Sequence, residues 1–257
     1  MKITMTALSP IVHGEYSDGA DIGNMMQFRR IPIQHNGRVY NVPVLSGNST
    51  RGNIRRLIIR ELVDRFGLRD AMGKYFDKFY VAAANGGNLD KSMDVAVDTN
   101  RLREIRKLLP PLSVFGSALY KYMLSGVVNI GFAVPRCKEF GTGDNDLISL
   151  TADIGLTRHL DKEVADQQEA KPMPYTVETV ITGSVFDLDI TFAPHATPVE
   201  IACIAHGLNL MSTVGGKSGS GFGRVDIDPQ DDSEYMSWLE SITEDDIGNI
   251  VKFASEL

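Results

Sequence analysis

The residues best suited to chemistry lie in Gly215–Arg224, GGKSGSGFGR, where five glycines in ten positions alternate with Lys217, Ser218, Ser220, Phe222 and Arg224. Glycine lets a backbone come close to a ligand. Successive unpaired N–H groups in such a loop form an anion-binding concavity, which Lys217 and Arg224 would reinforce with charge. The ligand this chemistry suits is a phosphate. Spacing excludes two phosphate loops: a Walker A motif needs a glycine where Met211 stands, and a dinucleotide fingerprint starting at Gly219-x-Gly221 needs one where Arg224 stands.

A second group of cations opens a helical pattern. Beyond Asn48, Ile54, Leu57, Ile58 and Leu62 recur on one face, with Ser49 or Thr50 as the expected N-cap. Arg56 and Arg60 point away from that stripe, while Arg51 and Arg55 continue it toward the helix start. Cations at a helix N-terminus oppose the macrodipole at a cost of about 0.3–1 kcal/mol. The arrangement, with its Gly-Asn-Ser-Thr-Arg-Gly lead-in, therefore anticipates a bound anion.

The remaining reactive residues form no recognisable site. His13, His35, His159, His195 and His206 share no metal-ligand spacing with Cys137 and Cys203. Asp144, Asp146, Asp153 and Asp161 match no cation loop. No metal and no cofactor is expected.

The elements that must position these residues follow from pattern. The chain has 257 residues and a formal charge of −7, lacks a signal peptide and any long uncharged apolar run, and reads as soluble and cytoplasmic, with no membrane partner. Its charge is uneven: sixteen Lys and Arg face eight Asp and Glu between Arg29 and Lys107, whereas Asp226–Leu257 holds one against ten. That asymmetry permits a basic face for nucleic acid and a head-to-tail contact between copies.

Lys2–Leu8 alternates as a half-buried strand, and His35-Asn36-Gly37-Arg38 within the polar stretch Ile11–Leu45 reads as a hairpin turn. Thr50–Phe66 is helical, and Leu68–Val81 continues as helix with Met72, Tyr75, Phe76 and Phe79 as its core stripe. Asp98 or Thr99 caps a basic helix that Pro110-Pro111 stops. Leu112–Leu124 reads as a further helix and Val127–Val134 as a buried strand. Arg136–Pro174, poor in apolar periodicity, reads as a mobile insertion. Tyr175–Phe192 has strand character bent at Gly183, Pro198–Met211 is helical, Phe222–Ile227 is a strand, and Asp231–Leu257 reads as one or two peripheral helices.

The core order strand, helix, strand, strand, helix, strand is the split βαβ arrangement of an α+β, RRM-like ferredoxin fold, βαββαβ. It occupies residues 1–230, with insertions at about 11–45, 67–125 and 136–176 and an acidic helical tail at 231–257.

On this order, SPIVHG at Ser9–Gly14, VPVLSGNSTRGNIRR at Val42–Arg56, PPLSVFGSA at Pro110–Ala118 and GGKSGSGFGRV at Gly215–Val225 together resemble the RAMP superfamily. More narrowly, they resemble its backbone, "seven"-type, subunit of class 1 CRISPR effector complexes. The resemblance runs from about Met1 to Asp228. It implies a non-enzymatic subunit, several copies of which line up on one CRISPR guide RNA and present it for pairing with a target strand, alongside other effector-complex subunits. The long insertions would correspond to the family's thumb and finger. The implied RNA-binding residues are His13, Asn48, Ser49, Arg51, Gly52, Arg55 and Arg56 on one side and Gly216, Lys217, Ser218, Gly219, Gly221 and Arg224 on the other. The alternative is a RAMP-type endoribonuclease that processes the guide or cuts target RNA. Target-cutting relatives place an Asp in a stretch corresponding to Ile22–Ile33, which here holds no carboxylate between Gly23 and Pro32; Asp21 lies just before it. A non-cleaving backbone is therefore expected, with Arg29 and Arg30 holding the paired strand through its phosphates.

Overall fold

The computed structural model describes residues 1–14, 25–89, 98–120, 122–158 and 173–257. Strand β1 (Lys2–Ala7) turns Ile3, Met5 and Ala7 inward on its alternating pattern. A short strand β2 (Met25–Met26) and a hairpin, β3 (Arg30–His35) and β4 (Arg38–Pro43), follow. The hairpin closes at Asn36-Gly37, both at positive φ (48° and 78°), as a two-residue turn of this type requires.

Helix α1 (Gly47–Arg65) buries Ile54, Ile58, Ile59 and Leu62. The predicted continuation through Val81 is broken. Helix α2 (Leu68–Met72) stops at Gly73, whose φ of 50° a helix cannot hold, and α3 (Phe76–Asn85) restarts after one 3₁₀ turn. After β5 (Gly87–Leu89), helix α4 (Thr99–Leu108) is capped by Asp98, whose carboxylate accepts from the Asn100 and Arg101 amides. Pro110-Pro111 opens a helix, α5 (Pro110–Phe115), because proline fits a first helical turn, where no amide partner is needed.

The helix expected over Leu112–Leu124 gives way to strands β6 (Ser117–Tyr120) and β7 (Tyr122–Leu124). The break is Gly116, at φ 68°, where a Cβ would lie 2.5 Å from the Gly126 nitrogen and the Leu124 carbonyl.

Strand β8 (Val128–Pro135) leads into the segment read from the sequence as a mobile insertion. That segment contains β9 (Thr151–Arg158), paired along eight residues with β10 (Met173–Val180) in a separate sheet of order β2-β10-β9. Its side chains are short or polar enough to hide the period. His159 and Asp161 lie outside the described residues. The turn at Gly183 moves the chain from this sheet into the main one at β11 (Val185–Phe192). Helix α6 (Pro198–Asn209) begins with a capping box between Thr197 and Glu200, and β12 (Val225–Ile227) completes the core.

The main sheet has the order β12-β1-β11-β8, all antiparallel. Numbered within βαββαβ this is 4-1-3-2, the RRM-like ferredoxin arrangement expected from the sequence. Helices α1 and α6 cover one face and meet at Gly207, where a Cβ would lie 2.4 Å from Ile54 Cγ2. On the open face, β1 presents Lys2, Thr4 and Thr6, and β11 presents Asp187, Asp189 and Thr191. RRM proteins stack bases on aromatic residues of these middle strands. Here that face has no aromatic residue on β1 or β11, and its Asp187 is paired with Arg136.

The acidic tail forms α7 (Ser233–Ser241) and α8 (Glu244–Glu256). It is not peripheral: Tyr235, Leu239, Ile250, Phe253 and Ala254 belong to the main core. Glu256 at its end accepts from Arg101 of the basic helix α4, so acid and base meet within one chain at this point. Among the described residues, no helix is long and apolar enough to cross a membrane.

Candidate nucleic-acid interface

The start of α1 is set by close packing. At Gly47 a Cβ would lie 2.0 Å from the Ile130 carbonyl of β8, so only glycine lets the helix end meet the sheet. The N-cap is Ser46, one turn earlier than expected, and its Oγ accepts from the Ser49 amide at 3.2 Å. Asn48 and Ser49 consequently lie exposed in the first turn, with Arg51 and Gly52 half-buried behind them. The Ser46 amide itself donates to His13 Nε2 at 3.1 Å. In a capping box that acceptor is a Glu or Gln three residues on. Here the third residue is Ser49, and His13 supplies the acceptor from 33 residues away.

The arginines divide sharply. Arg55 is buried, and its guanidinium donates to the carbonyls of Ala83 and, at 2.8 Å, Ala82, in the last turn of α3. Burial, and then the neighbouring Arg51 charge, bring its pKa down to about 10. The expectation that an anion balances this charge needs correction: the partially negative carbonyl end of α3 does so. Arg51 donates to the Phe115 carbonyl, while its Nε is buried with no hydrogen-bond partner among the described residues. Arg56 is exposed.

The glycine loop runs from the end of α6 to β12. Gly215 and Gly223 have positive φ, and a Cβ on either would lie 2.2 Å from the Val12 carbonyl or 2.1 Å from the Val214 carbonyl. These two glycines serve the chain's own close approach. The loop amides are also less free than the sequence suggests. Gly216 donates to Val12 at 2.7 Å, Gly223 to Pro10 at 2.8 Å and Arg224 to Ser9 Oγ at 2.9 Å, while Ser220 and Gly221 close a 3₁₀ turn onto Lys217 and Ser218.

Lys217, at φ 59°, turns its Nζ to the Tyr175 hydroxyl at 2.9 Å and lies 4.6 Å from the ring centroid. Tyr175 is a site neighbour that sequence reasoning missed, because β10 belongs to another sheet and no local pattern links it to the loop. Phe222 packs with Val12 and Val177 in a small cluster of their own, which anchors the loop to that same sheet.

Helix start and loop enclose a cleft of about 180 Å³, lined by Ser49, Asn53 and Arg56 on one wall and Thr213, Gly215 and Ser218 on the other. Asn53 Nδ2 spans the two walls to the Thr213 carbonyl at 2.6 Å. A second cleft, of about 250 Å³, opens on the other side of α1 among Asn48, Arg51, Gly52, Arg55 and Arg56, against the end of α3. Arg56 lines both, and no carboxylate side chain lines either. Of the sequence-derived set, Ser49, Arg56 and Ser218 thus share the first cleft, and Asn48, Arg51, Gly52, Arg55 and Arg56 the second. Gly216, Lys217, Gly219, Gly221 and Arg224 line neither; Gly219, Gly221 and Arg224 are exposed beside the first. His13 braces the helix start from below.

Arg30 differs from its expected role. Its guanidinium is paired with the Glu178 carboxylate, which also accepts from the Phe28 amide at 2.8 Å. Burial raises the Glu178 pKa, but these hydrogen bonds outweigh burial and leave it below the ordinary value. Arg30 therefore clamps β3 to β10. Asp21, Gly23 and Asn24 lie outside the described residues.

No protein-family model and no curated relative matches the sequence. Among solved structures, a chain described as "Type IV-B CRISPR Complex" is similar, with a TM-score of 0.59 and 18% identity over 94% of this chain and 99% of that one. At that identity the likeness establishes the fold, along nearly the full length of both chains.

Proposed function

We propose that this chain is a guide-RNA-binding backbone subunit of a class 1 CRISPR effector complex. The observation that carries the reading is the meeting of the Ser-Gly-Asn-Ser-Thr-Arg-Gly helix start and the Gly-Gly-Lys-Ser-Gly loop across one acid-free cleft. These belong to two of the four motifs on which the family resemblance rests, and they lie more than 150 residues apart in sequence. Likeness to a chain from a Type IV-B CRISPR complex supports the same reading. Within it, RNA runs along the edge formed by α1 and the loop, its phosphates held by Arg56 and Arg51 and by the hydroxyls of Ser49 and Ser218. The open sheet face, which has no aromatic residue on β1 or β11, stays clear of it. Contacts of this kind position a backbone without reading its sequence. Further copies and other subunits would occupy neighbouring stretches of the same guide, and the chain itself would not cut.

Co-expression with a CRISPR array tests this directly. Short RNA of repeat-spacer sequence should co-purify with the wild-type chain and be lost from a Ser49→Ala, Arg56→Ala double variant. A wild-type preparation free of nucleic acid that also fails to bind added repeat RNA at low salt would sink the reading.

A further inference from the structure

The two walls of the first cleft belong to segments distant in sequence, yet one dipeptide touches both. The Val12 carbonyl accepts from the Gly216 amide of the loop at 2.7 Å, and the next residue, His13, accepts through Nε2 from the Ser46 amide at the cap of α1 at 3.1 Å. The His13 carbonyl is itself held by the Arg29 amide at 2.8 Å, and its ring packs edge-on against Phe28, with centroids 5.9 Å apart. Val12 is almost fully buried with Phe222 and Val177, so the dipeptide has little freedom to move. An N–H directed at Nε2 requires the tautomer protonated on Nδ1 and a neutral ring.

We propose that His13 is the positioning residue of the RNA cleft: in its neutral form it fixes the helix start at the spacing from the glycine loop that RNA binding requires, and protonation releases that start. The inference rests on the guide-binding reading for its effect on affinity, although the brace itself exists without RNA. An imidazolium turns Nε2 from acceptor to donor, so two N–H groups would face each other and the Ser46 amide would lose its partner. The added charge would also lie beside Arg29, the charged group acting on the ring; the nearby Arg30 charge is already matched by Glu178. Burial, then Arg29, keep the His13 pKa below its ordinary value of 6.5, so the brace is intact at neutral pH and opens on acidification.

The test uses the full-length chain, a single-stranded RNA oligonucleotide of repeat sequence, and pH 7.5 and 5.5 at constant ionic strength. The His13→Ala variant should bind about two- to tenfold more weakly at pH 7.5, the effect of one lost hydrogen bond. The His13→Gln variant, whose side-chain oxygen can accept the same N–H, should restore neutral affinity. Wild-type affinity should fall in the same direction between pH 7.5 and 5.5 relative to His13→Gln, although a new positive charge by itself would tighten phosphate binding. Hydrogen-exchange protection at the Ser46 amide, read without RNA, should drop in His13→Ala and, at pH 5.5, in the wild type. If RNA binds but His13→Ala matches the wild type in affinity and pH profile, the positioning role is overturned. If Ser46 protection is equal in wild type and His13→Ala, the brace is overturned whether or not RNA binds. A wild type that never binds RNA yet loses Ser46 protection on acidification upholds the brace and overturns the guide-binding reading instead.

Discussion

The Asn53 side-chain amide donates to the Thr213 carbonyl over 2.6 Å and so ties the second turn of α1 to the entry of the glycine loop. It bonds the two walls of the first cleft directly and carries no charge. Replacing Asn53 with Ala should lower stability by about 0.5–1.5 kcal/mol. RNA affinity should fall as the walls separate, while the salt dependence of binding stays as in the wild type, because no phosphate partner is removed. Urea titration and binding isotherms at several salt concentrations would check both halves; a changed salt slope would show Asn53 acting on the charges instead.

Arg55 and Arg56 are neighbours with opposite expected phenotypes. Arg56→Ala should leave stability within about 0.5 kcal/mol, since the side chain is exposed. It should flatten the salt dependence of RNA binding by roughly 0.7 in slope for each phosphate that is no longer neutralised. Arg55→Ala should instead destabilise the fold by about 1.5–3 kcal/mol, because the Ala82 and Ala83 carbonyls lose a charged donor in a buried site. Equal stability of the two variants would contradict this division.

Much of this was legible in the sequence, and what was not has physical causes. The six core elements, the Asn36-Gly37 turn and the Asp98 cap follow from periodicity and turn chemistry, which are local. Strand β9 was hidden because its strand period is weak and its partner β10 lies beyond residue 172. The roles of Arg55, Lys217 and His13 were hidden because each is decided by a group remote in sequence: the carbonyls of α3, Tyr175 and the Ser46 amide. Residue type announced a cation or a histidine, but only packing decides whether it faces the cleft. The acidic tail misled for a related reason: its charges are conspicuous, whereas Ile250 and Phe253, which fix its place, are few.

That docking gives a stability prediction. Phe253 is 3% exposed and lies on α8, which packs against α2, α3 and α4. Phe253→Ala should cost about 3–5 kcal/mol, within the range for truncating a buried aromatic residue. Thermal or urea unfolding would measure it. A loss below about 1 kcal/mol would return the tail to the periphery.

Acid should weaken the fold through His13. Its folded-state pKa is lowered by burial first and by Arg29 second, so below pH 6.5 the unfolded chain takes up the proton more readily than the folded one. The contribution is complete above pH 6.5 and lost as the pH falls from there through the lower folded value. Stability measured by urea titration from pH 7.5 to 5.0 should therefore drop more steeply in the wild type than in His13→Gln. Parallel curves would show that His13 titrates alike in both states.

The last expectation concerns cleavage. Hydrolysis at a ribose 2′-OH needs a proton acceptor within hydrogen-bond reach or constraint into attack geometry, and losing general-base help alone costs roughly 10²–10⁴ in rate. His13 braces one wall of the cleft, and its Nε2 lone pair is already engaged by the Ser46 amide. To act as a base it would have to release the helix start that forms one wall of the site. Both clefts are lined by cations, amides and hydroxyls, without a carboxylate side chain to hold a metal ion. RNA assembled on this chain should therefore keep a complementary strand intact in the presence of Mg²⁺, with any cutting supplied by another subunit. The measurement is to incubate the purified chain on its guide with labelled complementary RNA and, separately, DNA. Regularly spaced products that disappear in Asp21→Ala would place a nuclease centre in residues 15–24 and overturn the expectation.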